Sequence, residues 1–600
     1  MPLDRSFSAL SISFLCTVAA CGDDTENPAD PGQDGPTILV PDRTLNADVT
    51  EDTTLSGFVR ISGLLTVSAA LVIEPGTWVQ FERDSGLRME TGGGSLTCNG
   101  TEDEPVSISG ILPRRGSWEA LVFASNESAN TMMHCIISGG GAGSNLGFSG
   151  NDTASVIVEG GARLSIFRSS VRNSRGDGIV FRENAIIGGF ASNIFDDNGG
   201  SPVRISANNA GVLDVRTSYG TNNRDDFIEV TGTRVTDGQT WAVTPIPYKI
   251  LERLVLQLRS TDAVFVGEGV TLLMAENAGI RVESGALALR GATPARVTVR
   301  GAFEAPGYWD MISFASNSPG NVIQGAEIAH GGAASDFDFT GDVESSIRVE
   351  DGGLVRIEDS IIRDTKDAGI TLEEGANLRS FMRNTFNNNG GPGLRVCPRH
   401  LVQLDEESVY GGVSGQENAD PWIDVTSCSP SATALTVDGS GRWVATDVPY
   451  RFEKRADIQS SAAIDVDAGV TLWLAPQSGI SVQALLRLRG TADEQIEINR
   501  ESDTAGNWDA LVFEGSSQSS IDHTVIQHGG TSSDFGFSGD EDAMIIVRED
   551  ARLGITNSAI RNSTEIGIFV RDDAVLRPDP ITSEGNTFSG NTTNFLNGRL

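Results

Sequence analysis

Basic side chains are scarce in this chain. Its 44 lysines and arginines stand against 81 aspartates and glutamates, so the formal net charge is −37. Such a surface repels nucleic acid phosphates, and no cluster of basic residues offsets that repulsion. The charge therefore predicts no nucleic acid partner.

Catalytic and metal-binding signatures are also scarce. Five histidines offer little from which to build a Ser–His–Asp arrangement, and no GxSxG sequence occurs. No CxxC or Cys/His spacing predicts a zinc site. We expect no required cofactor, and an enzyme is the less favoured interpretation.

Helix signals and long apolar runs are nearly missing. Beyond the N-terminal segment, no run of 18 apolar residues offers a membrane span. The 69 glycines follow no G-X-Y period, which excludes collagen. They separate short Val, Ile, Leu and Phe runs, a pattern typical of tight turns that join many short strands.

A long internal repeat is present. The segment Trp118–Phe123 returns as Trp309–Phe314, 191 residues later, and as Trp508–Phe513, a further 199 residues later. Repetition of this kind predicts one stacked body with a continuous core rather than independent domains. We divide the chain into a signal peptide (1–20), an acidic tether (21–36) and three copies of the repeat (37–235, 236–435 and 436–600), the third truncated at its C-terminus.

A shorter period lies within each copy. Some apolar residues recur 34 residues apart, namely Ile137 and Val171, Ile328 and Ile362, and Ile526 and Ile560. Others recur 24 residues apart, namely Val171 and Phe195, and Ile362 and Phe386. An Asn-rich turn recurs in the same phase. Stacked coils whose asparagines form amide ladders describe a parallel β-helix. Three separate β-sandwiches are the alternative, but they do not explain the recurring turns.

Four segments together resemble a known family. They are Leu71–Phe81, the Trp-acid-x-x-x-Phe block, the Gly-Gly turn at residues 331–332 and 529–530, and an Asn-x-Phe-x-x-Asn motif. They resemble the right-handed parallel β-helix proteins of bacterial surfaces, relatives of the pectate-lyase-like fold, over roughly residues 40 to 600. The resemblance implies an all-β solenoid built from three tandem multi-coil units. It leaves activity open, because this fold carries lyases, hydrolases, adhesins and inert stalks.

The N-terminus has the features of an export signal. Arg5 precedes an apolar stretch, and Val18-Ala19-Ala20-Cys21 resembles a bacterial lipobox. The resemblance implies that Cys21 is acylated and becomes the first mature residue, anchoring the protein in the cell envelope, in the outer membrane on its surface or periplasmic side. An ordinary secretory signal is the alternative.

Four further cysteines remain. An oxidising compartment permits disulfides, and the pairs closest in sequence are Cys98 with Cys135 and Cys397 with Cys428. Free buried thiols are the alternative.

The repeated Trp-acid pairs are candidate carbohydrate contacts. They are Trp118 and Glu119, Trp309 and Asp310, and Trp508 and Asp509. Tryptophan can stack on a sugar while a carboxylate bonds its hydroxyls. An apolar strand follows each tryptophan directly, however, so packing between coils is the favoured interpretation.

A second repeated block is rich in oxygen ligands. Calcium accepts carboxylates in flexible geometry, which makes five aspartates candidate ligands: Asp336, Asp338, Asp342, Asp534 and Asp540. Asx turns explain the same composition without a metal. Calcium is therefore an optional ligand in this interpretation.

Three functions follow from these observations. The first is a lipid-anchored, non-catalytic β-helical envelope protein for adhesion or carbohydrate binding, whose partner is a polysaccharide or another envelope protein. The second is a polysaccharide lyase or glycoside hydrolase on the same fold. The third is a passive structural stalk.

Overall fold

Apolar and polar residues alternate along the chain in short runs, and each run forms a β-strand. In the computed structural model, Val79 and Phe81 of one such run are buried, whereas Trp78 and Gln80 face outward. The structure describes residues 40–220, 222–333, 344–426, 433–501, 508–531, 542–577 and 585–598. The described residues from Asp42 onward belong to one compact body.

The first structural unit holds strands β1 to β19, one short α-helix and one 3₁₀ helix. Its strands are β1 Arg43–Leu45, β2 Thr53–Leu55, β3 Phe58–Ile61, β4 Leu64–Val67, β5 Ala70–Ile73, β6 Trp78–Phe81, β7 Gly86–Met89, β8 Ser95–Asn99, β9 Val106–Gly110, β10 Leu121–Phe123, β11 Thr131–Met133, β12 Cys135–Ser138, β13 Val156–Val158, β14 Arg163–Phe167, β15 Ser170–Arg172, β16 Ile179–Phe181, β17 Ile186–Ala191, β18 Ile194–Asp196 and β19 Val203–Ser206. Helix α1 spans Leu146–Ser149, and the first 3₁₀ helix spans Ala207–Val212.

The second unit holds β20 to β39 and a second 3₁₀ helix, Pro398–Gln403. Its strands are β20 Ile228–Thr231, β21 Arg234–Val235, β22 Gln239–Trp241, β23 Tyr248–Ile250, β24 Arg253–Gln257, β25 Ala263–Val266, β26 Thr271–Met274, β27 Gly279–Ser284, β28 Ala286–Arg290, β29 Val297–Gly301, β30 Ile312–Phe314, β31 Val322–Gln324, β32 Ala326–Ala329, β33 Ile347–Val349, β34 Leu354–Glu358, β35 Ile361–Arg363, β36 Ile370–Leu372, β37 Asn377–Met382, β38 Thr385–Asn387 and β39 Leu394–Val396.

The third unit holds β40 to β59. Its strands are β40 Ile423–Val425, β41 Leu435–Val437, β42 Gly441–Trp443, β43 Tyr450–Phe452, β44 Ala456–Ile458, β45 Ala463–Val466, β46 Thr471–Leu474, β47 Ile480–Val482, β48 Leu485–Arg489, β49 Ile496–Arg500, β50 Leu511–Phe513, β51 Gln518–Asp522, β52 Thr524–Gln527, β53 Ala543–Val547, β54 Arg552–Thr556, β55 Ala559–Arg561, β56 Ile566–Val570, β57 Val575–Leu576, β58 Thr587–Ser589 and β59 Thr593–Asn597.

These strands stack into seven sheets, and the neighbours within each sheet are parallel. The sheets are A (β1-β3-β6-β9-β12-β15-β18), B (β4-β7-β10-β13-β16-β19-β20-β23-β26-β29-β32-β35-β38), C (β2-β5-β8-β11-β14-β17), D (β21-β24-β27-β30-β33-β36-β39-β40-β43-β46-β49-β52-β55-β58), E (β22-β25-β28-β31-β34-β37), F (β41-β44-β47-β50-β53-β56-β59) and G (β42-β45-β48-β51-β54-β57). The fold is therefore a right-handed parallel β-helix, as the sequence predicted. Separate antiparallel sandwiches are excluded.

Each turn of the helix visits three faces. The chain runs from sheet A to B to C in the first unit, from B to D to E in the second, and from D to F to G in the third. The predicted periods are turn lengths, because Ile137 stacks on Val171 and Val171 stacks on Phe195 in adjacent strands of sheet A.

The first two units each fill 22 face positions, which is seven turns of three positions plus one, and in each unit the 3₁₀ helix takes one of these positions. Two single-residue bridges are part of this count in the first unit: Val49 with Val67 in its first turn, and Ser218 with Ile194 at its end. Val409 with Thr385 closes the second unit in the same way. We take the second and third units to start at β20 and β40, that is at Ile228 and Ile423.

Asparagine ladders close the turns between faces. Asn193, Asn384 and Asn586 occupy equivalent places, and the side-chain oxygen of each accepts a backbone N–H from the preceding turn, at 3.1, 3.2 and 2.9 Å. The amide nitrogen of each donates to an isoleucine carbonyl oxygen. These side chains satisfy buried backbone groups that strand pairing leaves open at a turn.

One disulfide also links successive turns. Cys98 near the end of β8 is bonded to Cys135 at the start of β12, and both residues are fully buried. Cys397 is disulfide-bonded, and its predicted partner Cys428 lies outside the described residues, as does Cys21. Within the described ranges, no helix has the length and apolar character needed to span a bilayer.

We predict that Asn389→Ala lowers the free energy of unfolding by about 1–3 kcal/mol, because it removes the acceptor of a buried N–H. Asn389 accepts from the Thr365 backbone at 3.1 Å and donates to Asn418 at 2.9 Å. Denaturant unfolding followed by circular dichroism measures the change. As a control, Asn377→Ala on the exposed edge of β37 should change stability by less than about 0.5 kcal/mol. Equal effects of the two substitutions would contradict the role of the ladder.

Candidate functional site

The repeated tryptophans lie inside the solenoid. Trp118, Trp309 and Trp508 are fully buried. Their indole N–H groups donate to the carbonyl oxygens of Ser138, Ala329 and Gln527 at 2.9, 2.7 and 2.9 Å. Each ring therefore ties one turn to the next, and a sugar cannot stack on it in this structure.

The acids beside these tryptophans are buried as well. Glu119 and Asp310 have no exposed surface, and Asp509 has 6%. The Glu119 carboxylate accepts the Ser144 hydroxyl at 2.6 Å, and Asp509 accepts the Thr531 hydroxyl at 2.6 Å. Asp310 is paired with Arg253 at 2.7 Å. These acids anchor neighbouring chain segments, so their placement does not support the expectation that they contact a carbohydrate.

The Gly-Gly turn explains why the Trp-acid pair recurs. The backbone N–H groups of Gly141, Gly332 and Gly530 donate to the carbonyl oxygens of Glu119, Asp310 and Asp509 at 2.6, 2.7 and 2.7 Å. All three glycines have φ between 82° and 92°, a region that side chains disfavour. The three copies thus share this motif because it stabilises the packing of one turn of the β-helix on the next.

The predicted calcium ligands Asp336, Asp338, Asp342, Asp534 and Asp540 lie outside the described residues. Within the described ranges, no group of three His, Cys, Asp or Glu side chains is arranged to hold a metal ion. In the first copy, the Asn145 side chain accepts the Gly147 N–H at 3.2 Å and caps α1. This part of the block is an Asx turn.

A different set of aromatic and charged side chains reaches the surface on sheet D. We call Trp422, Asp424, Arg451, Trp473 and Glu501 the sheet D cluster. Both tryptophans are half-buried, with ring centroids 6.2 Å apart at an angle of 54°. The Arg451 guanidinium lies 5.4 Å from the centre of the Trp422 ring. The cluster thus presents two aromatic rings beside a fixed cation.

Carboxylates hold that cation in place. Arg451 pairs with Asp424 at 3.2 Å and with Glu501 at 2.6 Å. Asp424 in turn pairs with Arg395 at 3.1 Å. Burial alone would lower the pKa of Arg451, but the bond to Glu501 and the pair with Asp424 raise it above its ordinary value. Arg451 therefore stays protonated and donates hydrogen bonds.

An equivalent but smaller sheet B cluster begins the second unit. Lys249 on β23 lies 4.2 Å from the centre of the half-buried Phe227 ring. On the neighbouring strands of sheet B, Arg204 pairs with Glu229 at 2.6 Å and with Asp177 at 2.6 Å. Burial raises the pKa of Asp177 to about 6, an effect that Arg204 opposes and Glu229 increases.

A third cluster lies on sheet A in the first unit. Phe58 and Trp78 stack with centroids 4.7 Å apart, and the Arg60 guanidinium lies 5.9 Å from the Phe58 ring centre. Arg60 donates to Gln80 at 3.3 Å. We call Phe58, Arg60, Trp78 and Gln80 the sheet A cluster. All four side chains are half-buried.

These residues are not identical in the three copies, so the repeats do not mark them. A usable signal was the alternation within strands. Trp473 stands between the buried residues Leu472 and Leu474 and must therefore point outward. Trp78 stands next to Val79 in the same way. An outward tryptophan on a strand is a candidate contact residue, whereas a repeated tryptophan before a strand is part of the scaffold.

No protein-family model matches the chain, and none of the curated proteins compared with it matches either.

Proposed function

We propose that this chain is a lipid-anchored, non-catalytic β-helical protein of the bacterial cell envelope that binds carbohydrate. The observation that carries the proposal is the sheet D cluster, where Trp422 and Trp473 remain half-exposed beside Arg451, Asp424 and Glu501. Aromatic faces supply contact area at low entropic cost, and the flanking charges offer donors and acceptors for hydroxyl groups.

The negative charge of the chain favours neutral glycans as the ligand. The chain carries a net charge of −37, which repels polyanions. Arg451 of the sheet D cluster and the neighbouring Arg395 both pair with carboxylates, so these two side chains offer no excess of positive charge to a uronic acid polymer. The hydroxyl groups of a neutral glycan can donate hydrogen bonds to the carboxylates and accept hydrogen bonds from the guanidinium groups.

The lyase interpretation receives less support from the same residues. A general base must be unprotonated at the working pH so that it can accept a proton from the substrate. Bonds to carboxylates raise the pKa of Arg451, and Arg363 at the end of β35 likewise pairs with Glu327 at 2.6 Å. A passive stalk would need no outward aromatic cluster, which is why binding is preferred.

The decisive variant is Trp422→Ala with Trp473→Ala. We expect it to weaken binding of β-1,4-linked glucose or N-acetylglucosamine polymers tenfold or more, because each aromatic contact contributes about 0.5–1.5 kcal/mol beyond burial. Affinity electrophoresis and calorimetry measure the loss. The matched control is Phe303→Ala, which removes an aromatic side chain that is 66% exposed and outside the clusters.

Unchanged glycan binding by the folded double variant would contradict the proposal, as would a loss of equal size in Phe303→Ala. The same preparations should release no reducing sugar and no unsaturated uronides from any polymer. Turnover that disappears on substituting Arg451 or Asp424 would favour the enzyme instead.

Anchoring is tested separately. Cys21 and the tether precede the repeats, so we expect Cys21→Ser to move the protein from the membrane fraction to the soluble fraction without altering its β-rich circular dichroism or its glycan binding. Fractionation and metabolic labelling with a fatty acid measure this. A variant that remains in the membrane fraction with label would contradict acylation at Cys21.

A further inference from the structure

The unit length determines where equivalent surfaces appear around the helix. The first unit starts with β1 in sheet A, the second with β20 in sheet B, and the third with β40 in sheet D. Sheet B follows A in the winding of the first unit, and sheet D follows B in that of the second. Each unit is therefore displaced by one face from the unit before it.

Two bridges cause this displacement. After the first 3₁₀ helix the chain makes one additional contact on sheet A, Ser218 with Ile194, before β20 pairs with β19 in sheet B. After the second 3₁₀ helix, Val409 bridges Thr385 before β40 pairs with β39 in sheet D. Without the additional position, every unit would start on the same face.

Three of the cation-aromatic contacts follow the displacement, whereas the contact of Arg290 with Phe265, at 6.0 Å, lies on sheet E. Arg60 on β3, Lys249 on β23 and Arg451 on β43 occupy the same position in their units, the start of the second turn. They face outward from sheets A, B and D respectively. Each has an aromatic ring within 6 Å of its charged group, at 5.9, 4.2 and 5.4 Å.

The clusters are also far apart along the axis. Seven and a third turns at about 4.8 Å per turn place successive clusters roughly 35 Å apart. A straight glycan lying along one face therefore meets only one cluster.

We infer that the three clusters bind three separate glycan segments, so that one chain joins several neutral glycan strands of a network. This rests on the proposed function and extends it from one site to three. Linking sites on a rigid body raises the apparent affinity for a polymer mesh without a new contact. It gives no such gain for a short oligosaccharide, which fills one cluster at a time.

The test compares the wild type with variants that lack one or two clusters. The cluster variants are Arg60→Ala with Trp78→Ala, Phe227→Ala with Lys249→Ala, and Trp422→Ala with Trp473→Ala. The probes are the hexasaccharides of β-1,4-linked glucose and N-acetylglucosamine and a soluble polymer of each. Calorimetry gives the number of hexasaccharides bound, and light scattering reports cross-linking of the polymer.

We expect three hexasaccharides per wild-type chain, two when any one cluster is removed and one when two are removed. Polymer cross-linking should persist with two clusters and disappear with one. Circular dichroism shows whether the variants are folded, and Phe303→Ala controls for the loss of an exposed aromatic side chain.

A single hexasaccharide per chain, lost only in the sheet D variant, would overturn the three-site inference and leave the proposed function standing. Absence of binding in the wild type would overturn both. Cross-linking that survives the removal of two clusters would also overturn the inference, because it would have to come from another surface.

Discussion

Register between successive turns is the constraint on which this structure depends. The parallel strands pair with the turn before and the turn after, so each turn is the template for the next. Inward residues must then be apolar at every second position, and the turns must satisfy their own backbone groups. The asparagine ladders at Asn193, Asn384 and Asn586 do this with matching bonds in all three units. Most residues that recur in the three copies are therefore those that keep successive turns in register.

The same constraint explains what could be predicted from the sequence. Residues 34 or 24 positions apart proved to be stacked neighbours, such as Ile137 and Val171, because a turn has to return to the same face. The all-β solenoid followed from this spacing. The Trp-acid pairs recur most regularly in the sequence, and they are buried. They recur because they hold one turn of the β-helix to the next.

The displacement of one face per unit could not be predicted from the sequence. It depends on Ser218 and Val409, single residues that complete a face without forming a strand. Neither has a pattern that marks it in the sequence. The exposed clusters were hidden for a related reason. Arg60, Lys249 and Arg451 occupy equivalent places, but the aromatic rings beside them do not, because Phe58 lies on the strand of its own cation whereas Phe227 and Trp422 precede the strand below. Surface contacts can vary between units, whereas the register that supports them cannot.

The central claim is that β20 stacks on β19 and so moves the second unit to the next face. Two engineered cysteine pairs test it directly. Arg204 and Glu229 are paired neighbours in sheet B, close enough for a disulfide, whereas Asp196 on β18 belongs to sheet A. Arg204→Cys with Glu229→Cys should therefore form a disulfide that peptide mapping by mass spectrometry detects, and Asp196→Cys with Glu229→Cys should not. The opposite result would mean that the second unit starts on the same face as the first, and would contradict this account.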